Sequence, residues 1–357
     1  MLLAELADAS AAVAATPART AKVAELAALL RRAAPADVAP VVGWLSGELT
    51  QRQIGVGWAL LRDPPPPAAS RALTVAAVER ALTAIGGLRG RGSLDARRRA
   101  VRELLGRADA AEQAFLVRLL VGDLRQGALA GVRADAVARA AGWPPGAVRR
   151  ALTLHGDLAA VAAIALRDGA PGLAAVRLRV GRPLAPMLAG TAPDVATALR
   201  RTAPAAVDHK LDGARVQVHR DGDDVAVFTR TLDDVTARLP ELVATARALP
   251  VRAVVLDGEA IALRADGRPE PFQVTAARFG TRRERSVPLA SLFFDVLHAD
   301  GEDLLDAPLS RRAEALAAVV PEAHRVARAI AAGADEGRAA FRAALAAGHE
   351  GVVVKAL

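Results

Sequence analysis

Asp208-His209-Lys210-Leu211-Asp212-Gly213-Ala214-Arg215 sets a lysine and an Asp-Gly pair between a short apolar stretch and a run of alternating residues. The pair predicts a turn with Lys210 on it, and residues 214–219 beyond it alternate as a half-buried strand. Alone, this supports two readings: a solvated lysine beside an ordinary bend, or a lysine placed for chemistry. A two-residue loop at Gly222-Asp223 would pair Asp221 with Asp224 in a hairpin whose second strand is 225–230, and that register carries back to Arg215 opposite Arg230 on one face. Like charges across a ladder repel, so either a buried anion lies between the two arginines or both ends fray into solvent.

Residues 253–263 hold Asp257 and Glu259 in an otherwise apolar strand. An ionised carboxylate there needs a cation nearby, unless a strand-end turn gives it to water. In the strand 289–297, Phe293 and Phe294 precede Asp295, and taken alone the rings read as core. His349-Glu350-Gly351-Val352-Val353-Val354-Lys355 reads as a β-branched strand over 351–356, opened by a carboxylate and closed by a lysine. Glu350 and Lys355 would face opposite sides of an ideal strand. For both to reach one ligand, Glu350 must lie in the loop ahead of it or a bulge must intervene; otherwise one is a surface charge. Helical runs at 311–319 and 337–347 complete an α+β domain with a mainly antiparallel sheet.

Upstream the spacing is helical from Arg19 to about Arg167: Val23, Leu26, Ala27 and Leu30 recur at three and four residues, as do Val75, Val78, Leu82 and Ile85 behind a candidate N-cap at Thr74. The breaks are the tetraproline 64–67, the Gly-rich stretch 86–93 and Trp143-Pro144-Pro145-Gly146. Punctuation changes at 168–172, which places a boundary near residue 175 and gives an all-α domain over 1–175 and an α+β domain over 176–357. The Gly-rich stretch leads into a helix with Arg97, Arg98 and Arg99. Gly90, Arg91, Gly92 and Ser93, with Ser93 as candidate N-cap, could present free N–H groups to a phosphate of a bound partner; a plain connector is the other reading.

With 357 residues the chain has room for two or three cores. It has no Cys, which excludes disulfides, thiol catalysis and Cys-ligated zinc. Net charge is +8 with a pI near 11.0, which favours polyanionic partners. Neither a basic leader nor a long uncharged apolar run is present, so the expectation is a cytoplasmic protein with no membrane partner.

Taken in order, these motifs resemble those of the covalent nucleotidyltransferases, the superfamily of DNA ligases, RNA ligases and capping enzymes. The resemblance implies that Lys210 becomes the carrier of AMP from ATP. It makes Arg215 the arginine near the ribose and the 3′ side of the site, Arg230 the one after the hairpin, and Glu259 an acid that binds ribose or metal. Phe294 matches the aromatic that stacks on the purine, Glu350 a metal-binding carboxylate, and Lys355 an α-phosphate contact. Asp208 stands where such ligases usually place a glutamate reading the adenine amino group; it is one methylene shorter and is expected to reach the base through water. Mg2+ is the implied metal, held by Glu259 and Glu350. Residues 119–127, Leu-Leu-Val-Gly-Asp-Leu-Arg-Gln-Gly, resemble the helical DNA-binding domain of larger ATP-dependent DNA ligases, and 182–189, Arg-Pro-Leu-Ala-Pro-Met-Leu-Ala, the segment entering their catalytic core.

The implied protein is a monomeric ATP-dependent DNA ligase acting on nicked duplex DNA in replication, repair or recombination. An RNA ligase or capping-type enzyme, or a catalytically incomplete DNA-binding fragment, is the alternative. The resemblance also leads one to expect a lysine-bearing strand and an OB-fold domain after Leu357, so the adenylation domain reads as C-terminally incomplete.

Overall fold

The computed structural model describes residues 1–124, 126–279 and 287–357. It divides into two units, Met1–Arg177 and Leu178–Leu357. Among the described residues the first contains eleven helices and no strand beyond an isolated bridge between Leu2 and Thr74. Val75, Val78, Leu82 and Ile85 form the buried stripe of the helix Val75–Gly87, and Thr74 Oγ1 caps it by accepting from the Ala77 N–H at 3.1 Å. A helix the sequence reading did not include, Leu3–Ala15, buries Leu3, Leu6 and Val13. The helix Ala110–Val121 opens with a reciprocal capping box between Asp109 and Glu112.

Two expected breaks move. Gly86 and Gly87 finish a helix, so the interruption is confined to residues 88–92, where Gly90 and Gly92 take φ of +81° and +80°. That left-handed backbone suits glycine because it has no Cβ. The stretch 168–172, where the punctuation changes, enters a short helix, Gly169–Ala175. Arg125, within the 119–127 resemblance, lies outside the described residues.

The second unit holds eight strands among the described residues: β1 Ala205–Lys210, β2 Ala214–Asp221, β3 Asp224–Thr229, β4 Ala253–Ala262, β5 Leu289–Ala299, β6 Glu302–Asp303, β7 Arg328–Ala331 and β8 Gly351–Ala356. They form two sheets, ordered β7-β1-β8 and β3-β2-β4-β5-β6, antiparallel throughout. The β2–β3 hairpin has the two-residue loop, with Asp221 opposite Asp224. In the larger sheet the even positions Val216, Val218, Val254, Leu256 and Ala260 face the core with Phe293, Leu242 and Leu316, which leaves the odd positions of β2 and β4 on the opposite face. In the smaller sheet Ala205, Val207 and Ala331 pack with Leu199 and Ala340 from the helices Val195–Thr202 and Ala334–Ala346. The helices Val195–Thr202, Pro240–Ala248 and Phe272–Ala277 and the strands β1 and β7 are additions to the elements read from sequence.

Candidate active site

Because Ala205 and Val207 point into the helices, Asp208 and Lys210 emerge on the other face of β1. Lys210 is therefore the last residue of a strand and not part of a turn. Asp208 sits opposite Arg328 in β7, and Ala206 sits opposite Lys355 in β8. The Asp208 carboxylate is 2% exposed and accepts from Arg328 Nε at 2.5 Å and Nη2 at 2.8 Å, while Lys355 Nζ lies 2.7 Å from its Oδ2. Burial works against ionisation, but Arg328 and Lys355 outweigh it and hold the carboxyl below its ordinary value. Both oxygens of Asp208, expected to reach the base through water, are paired with cations of the chain.

Lys210 is half-exposed and forms an ion pair with Glu350. Glu350 lies in the loop ahead of β8, with its N–H donating to the Lys210 carbonyl at 3.2 Å. The parity conflict is resolved in that way, since Glu350 is off the strand that carries Lys355.

On the larger sheet Arg215 in β2 reaches diagonally to Asp257 in β4, with Nε–Oδ1 at 3.0 Å and Nη2–Oδ2 at 2.7 Å. Its Nη1 donates to the Met187 carbonyl at 2.8 Å. Arg215 and Arg230 line one small cleft with Pro186, Gln217 and Asp257. Arg230 falls just past the end of β3 and is exposed. The repulsion between the arginines is thus relieved by exposure at Arg230 and by Asp257, a buried carboxylate that the chain itself supplies to Arg215. Gln217 and His219 secure the strand's approach: Gln217 Oε1 accepts from the Leu184 N–H at 2.8 Å, and His219 Nδ1 accepts from the Gly181 N–H at 3.0 Å. Burial, with some help from His298, depresses His219 to about 4, so it is neutral at ordinary pH.

The glycines of the pairs Asp212-Gly213 and Asp257-Gly258 serve close approach. A Cβ at Gly213 would lie 2.6 Å from the Ala260 carbonyl oxygen, and one at Gly258 would lie 2.7 Å from the Leu292 carbonyl oxygen and from Phe293 Cδ1. Opposite Gly258 the ladder slips: Gly258 pairs with Phe293 and Asp257 with Asp295, leaving Phe294 as the extra residue of a bulge. The strand's alternation puts the adjacent rings on opposite faces. Phe293 is fully buried in the core, whereas Phe294 turns to the site, with Lys355 Nζ 4.3 Å and Arg215 Cζ 5.5 Å from its ring centroid. Its carbonyl accepts from Arg328 Nη2 at 2.8 Å.

Burial pushes Glu259 up to about 7, against the opposing charges of Arg215 and Lys210 and with a smaller contribution from Asp257. Asp257 is raised by burial, although Arg215 opposes it. Among the described residues no three His, Asp or Glu side chains cluster as a ready metal cage. Glu259 and Glu350, two acids whose charges act on or pair with Lys210, suit a magnesium ion completed by phosphate oxygens, which needs few protein ligands.

In the helical unit Gly92, not Ser93, is the N-cap of the helix Ser93–Gly106, and no side chain caps it. The Ser93 N–H donates to the Gly90 carbonyl at 3.2 Å, so that N–H is already used. Gly90, Arg91 and Gly92 are exposed; Arg97 Nη2 braces the loop through the Leu88 carbonyl at 2.9 Å, and Arg98 pairs with Asp95. Arg328 is the site residue sequence reading missed: its four-residue strand has no alternating pattern and no local partner. Asp257 was noted as a carboxylate needing a cation, but nothing in the order of residues specified Arg215.

The family model described as ATP dependent DNA ligase domain matches residues 186–357, and that described as DNA ligase N terminus matches 60–138. A probable DNA ligase of Mycolicibacterium paratuberculosis (strain ATCC BAA-968 / K-10) is 57% identical over 364 residues, covering 100% of this chain and 70% of its own length. The chain belongs to the ATP-dependent DNA ligase family. A probable DNA ligase of Mycolicibacterium gilvum (strain PYR-GCK) is also 57% identical, over 99% of this chain and 70% of the relative. The solved structure designated Pmar-Lig_PreS3 matches 98% of this chain and 73% of its own with a TM-score of 0.52 at 15% identity, a likeness of fold. These relatives favour DNA ligase over the RNA-ligase and capping-enzyme alternative. Among the described residues no helix is long and apolar enough to cross a membrane.

Proposed function

We propose that Lys210 is the nucleophile that takes AMP from ATP and that the unit Leu178–Leu357 supplies the adenylation site of a nick-sealing reaction. The observation that carries this reading is the convergence of Lys210 and its partner Glu350 with Glu259, and of Lys355 and Arg215 over Phe294, from two different sheets. Attack needs the neutral amine; Glu350 orients Lys210 through their ion pair, and a magnesium ion on that carboxylate would favour the uncharged form, the proton passing to solvent. The Nζ–phosphorus bond then forms as the bond from the α-phosphorus to the oxygen bridging to the β-phosphate breaks, and pyrophosphate leaves with the electron pair. Lys355 and Arg215 stabilise charge on the phosphate, and Phe294 stacks on the purine. Magnesium, held by Glu259, Glu350 and phosphate oxygens, would add charge neutralisation. AMP passes next to a 5′-phosphate at a nick, and the neighbouring 3′-hydroxyl displaces it. The test is to incubate the protein with labelled ATP and magnesium and to map the acid-labile adduct by peptide mass spectrometry. The adduct is expected on Lys210; a mapped adduct elsewhere removes the assignment.

Gly90, Arg91, Gly92 and Ser93 are proposed to contact the duplex backbone without reading sequence, a reading supported by the exposure of the first three. Arg91→Ala is expected to weaken duplex binding evenly across sequences and to reduce the slope of log affinity against log salt by about 0.9, the loss of one phosphate contact. An unchanged salt slope in a fluorescence titration would place Arg91 away from the DNA.

A further inference from the structure

Asp208 is a buried carboxylate with two cations, and the proposed chemistry asks one of them to leave. Lys355 lies 2.7 Å from Asp208 Oδ2, and its side chain is 25% exposed. Arg328 is more deeply set, at 16% exposed, and binds both Asp208 oxygens through Nε and Nη2. The same Nη2 also donates to the carbonyl of Phe294, the bulge residue whose ring lies under Lys355. Arg328 therefore ties together three things: the strand that ends at Lys210, the strand that presents Phe294, and the carboxylate that holds Lys355.

We propose that Arg328 is a positioning residue that keeps Asp208 paired when Lys355 is drawn to the nucleotide phosphate, so that Lys355 is free to move. A buried carboxylate stripped of both partners is strongly disfavoured, whereas one that keeps a bidentate guanidinium is not. With Arg328 present, Lys355 shares Asp208 and is released at little penalty. With Arg328 absent, Lys355 becomes the sole counterion of Asp208 and is retained there, away from the phosphate. Arg328 also fixes the Phe294 backbone, so the aromatic face and the phosphate cation are set from one guanidinium. This inference rests on the proposed role of Lys355 as a phosphate contact.

The sign of a double substitution separates this role from simple structural support. In single-turnover adenylation with saturating ATP and magnesium, Arg328→Ala is expected to lower the rate on the order of a hundredfold, as for a misplaced reacting group, with a smaller change in the ATP concentration for half-saturation. Arg328→Lys, which keeps a charge but not the fork, is expected to recover part of that loss. Adding Asp208→Asn to Arg328→Ala removes the carboxylate that traps Lys355, and the double variant is expected to be faster than Arg328→Ala by about tenfold. Should Arg328→Ala melt within the assay range, Arg328→Gln, which keeps a donor and much of the volume, carries the same comparison. Lys355→Ala is run in parallel. If it adenylates at the unsubstituted rate, Lys355 is not a phosphate contact and both readings fall. If Lys355→Ala is slow while the Arg328 variants stay within twofold of the parent, or the double variant is no faster than the single, the role of Arg328 alone is overturned.

Discussion

Lys210→Ala is expected to abolish covalent labelling by ATP while leaving fold and duplex binding essentially unchanged. The side chain is half-exposed and its ion pair is with Glu350, itself 40% exposed. A pair that open contributes on the order of 1 kcal/mol or less, so the variant's denaturation midpoint should stay close to that of the parent. Labelling, by contrast, has no substitute: the bond to phosphorus is made by the Lys210 nitrogen, and no other lysine stands beside Glu350 among the described contacts. Arginine in its place is not expected to rescue, because guanidinium stays protonated and cannot attack. The measurement is gel or mass detection of AMP-protein after incubation with labelled ATP and magnesium, with circular dichroism and a DNA titration as controls. Persistent label in Lys210→Ala would move the nucleophile elsewhere and would undo the proposed adenylation site.

What could be read from sequence follows how local each signal is. Strand β2, the hairpin to β3 and the long β4 and β5 announce themselves through alternation and a two-residue turn, because half-buried strands leave a period-two record. Strand β1 leaves none: four consecutive buried residues, Ala205 to Asp208, hide the alternation, and Lys210 reads as a turn residue though it closes the strand. Strand β7 has four residues, too few to establish a period. The bulge at Phe294 depends on a register slip against β4, a property of two strands that neither segment states alone. The adjacent phenylalanines show the limit well. Core packing, the reading their composition favoured, is right for Phe293, and the family resemblance selected Phe294, which faces the site. Position along the chain also left the partners of Asp208 unnamed, since Arg328 and Lys355 arrive from strands far away in sequence. Conversely, the parity argument over Glu350 and Lys355 needed only the two-residue period of a strand's side chains, and the loop position of Glu350 satisfies it.

Glu259→Gln is expected to make the protein more stable at pH 8 and much poorer at adenylation. Burial raises the Glu259 carboxyl from its ordinary 4.5 to about 7, so between those values the native state binds a proton that the unfolded chain has lost. Stability from this group is whole below about 4.5 and declines as pH rises through about 7, because the native site must then hold a charge it disfavours. The full difference corresponds to on the order of 3 kcal/mol at pH 8. Glutamine has nearly the same shape and no charge, so the variant should escape the loss at pH 8 and match the parent near pH 4. Urea denaturation at the two pH values reads this directly, and equal variant and parent stability at pH 8 would show that Glu259 is not held in a charge-averse site. The same substitution removes one of the two carboxylates proposed for magnesium, and a loss of roughly a hundredfold or more in adenylation rate is expected from losing that stabilisation of phosphate charge. Stability gained together with activity lost is the pattern of a residue kept for chemistry against the interest of the fold. A variant that gains stability yet adenylates normally would leave the buried acid in place but remove it from the metal site, and Glu350 would then have to act without it.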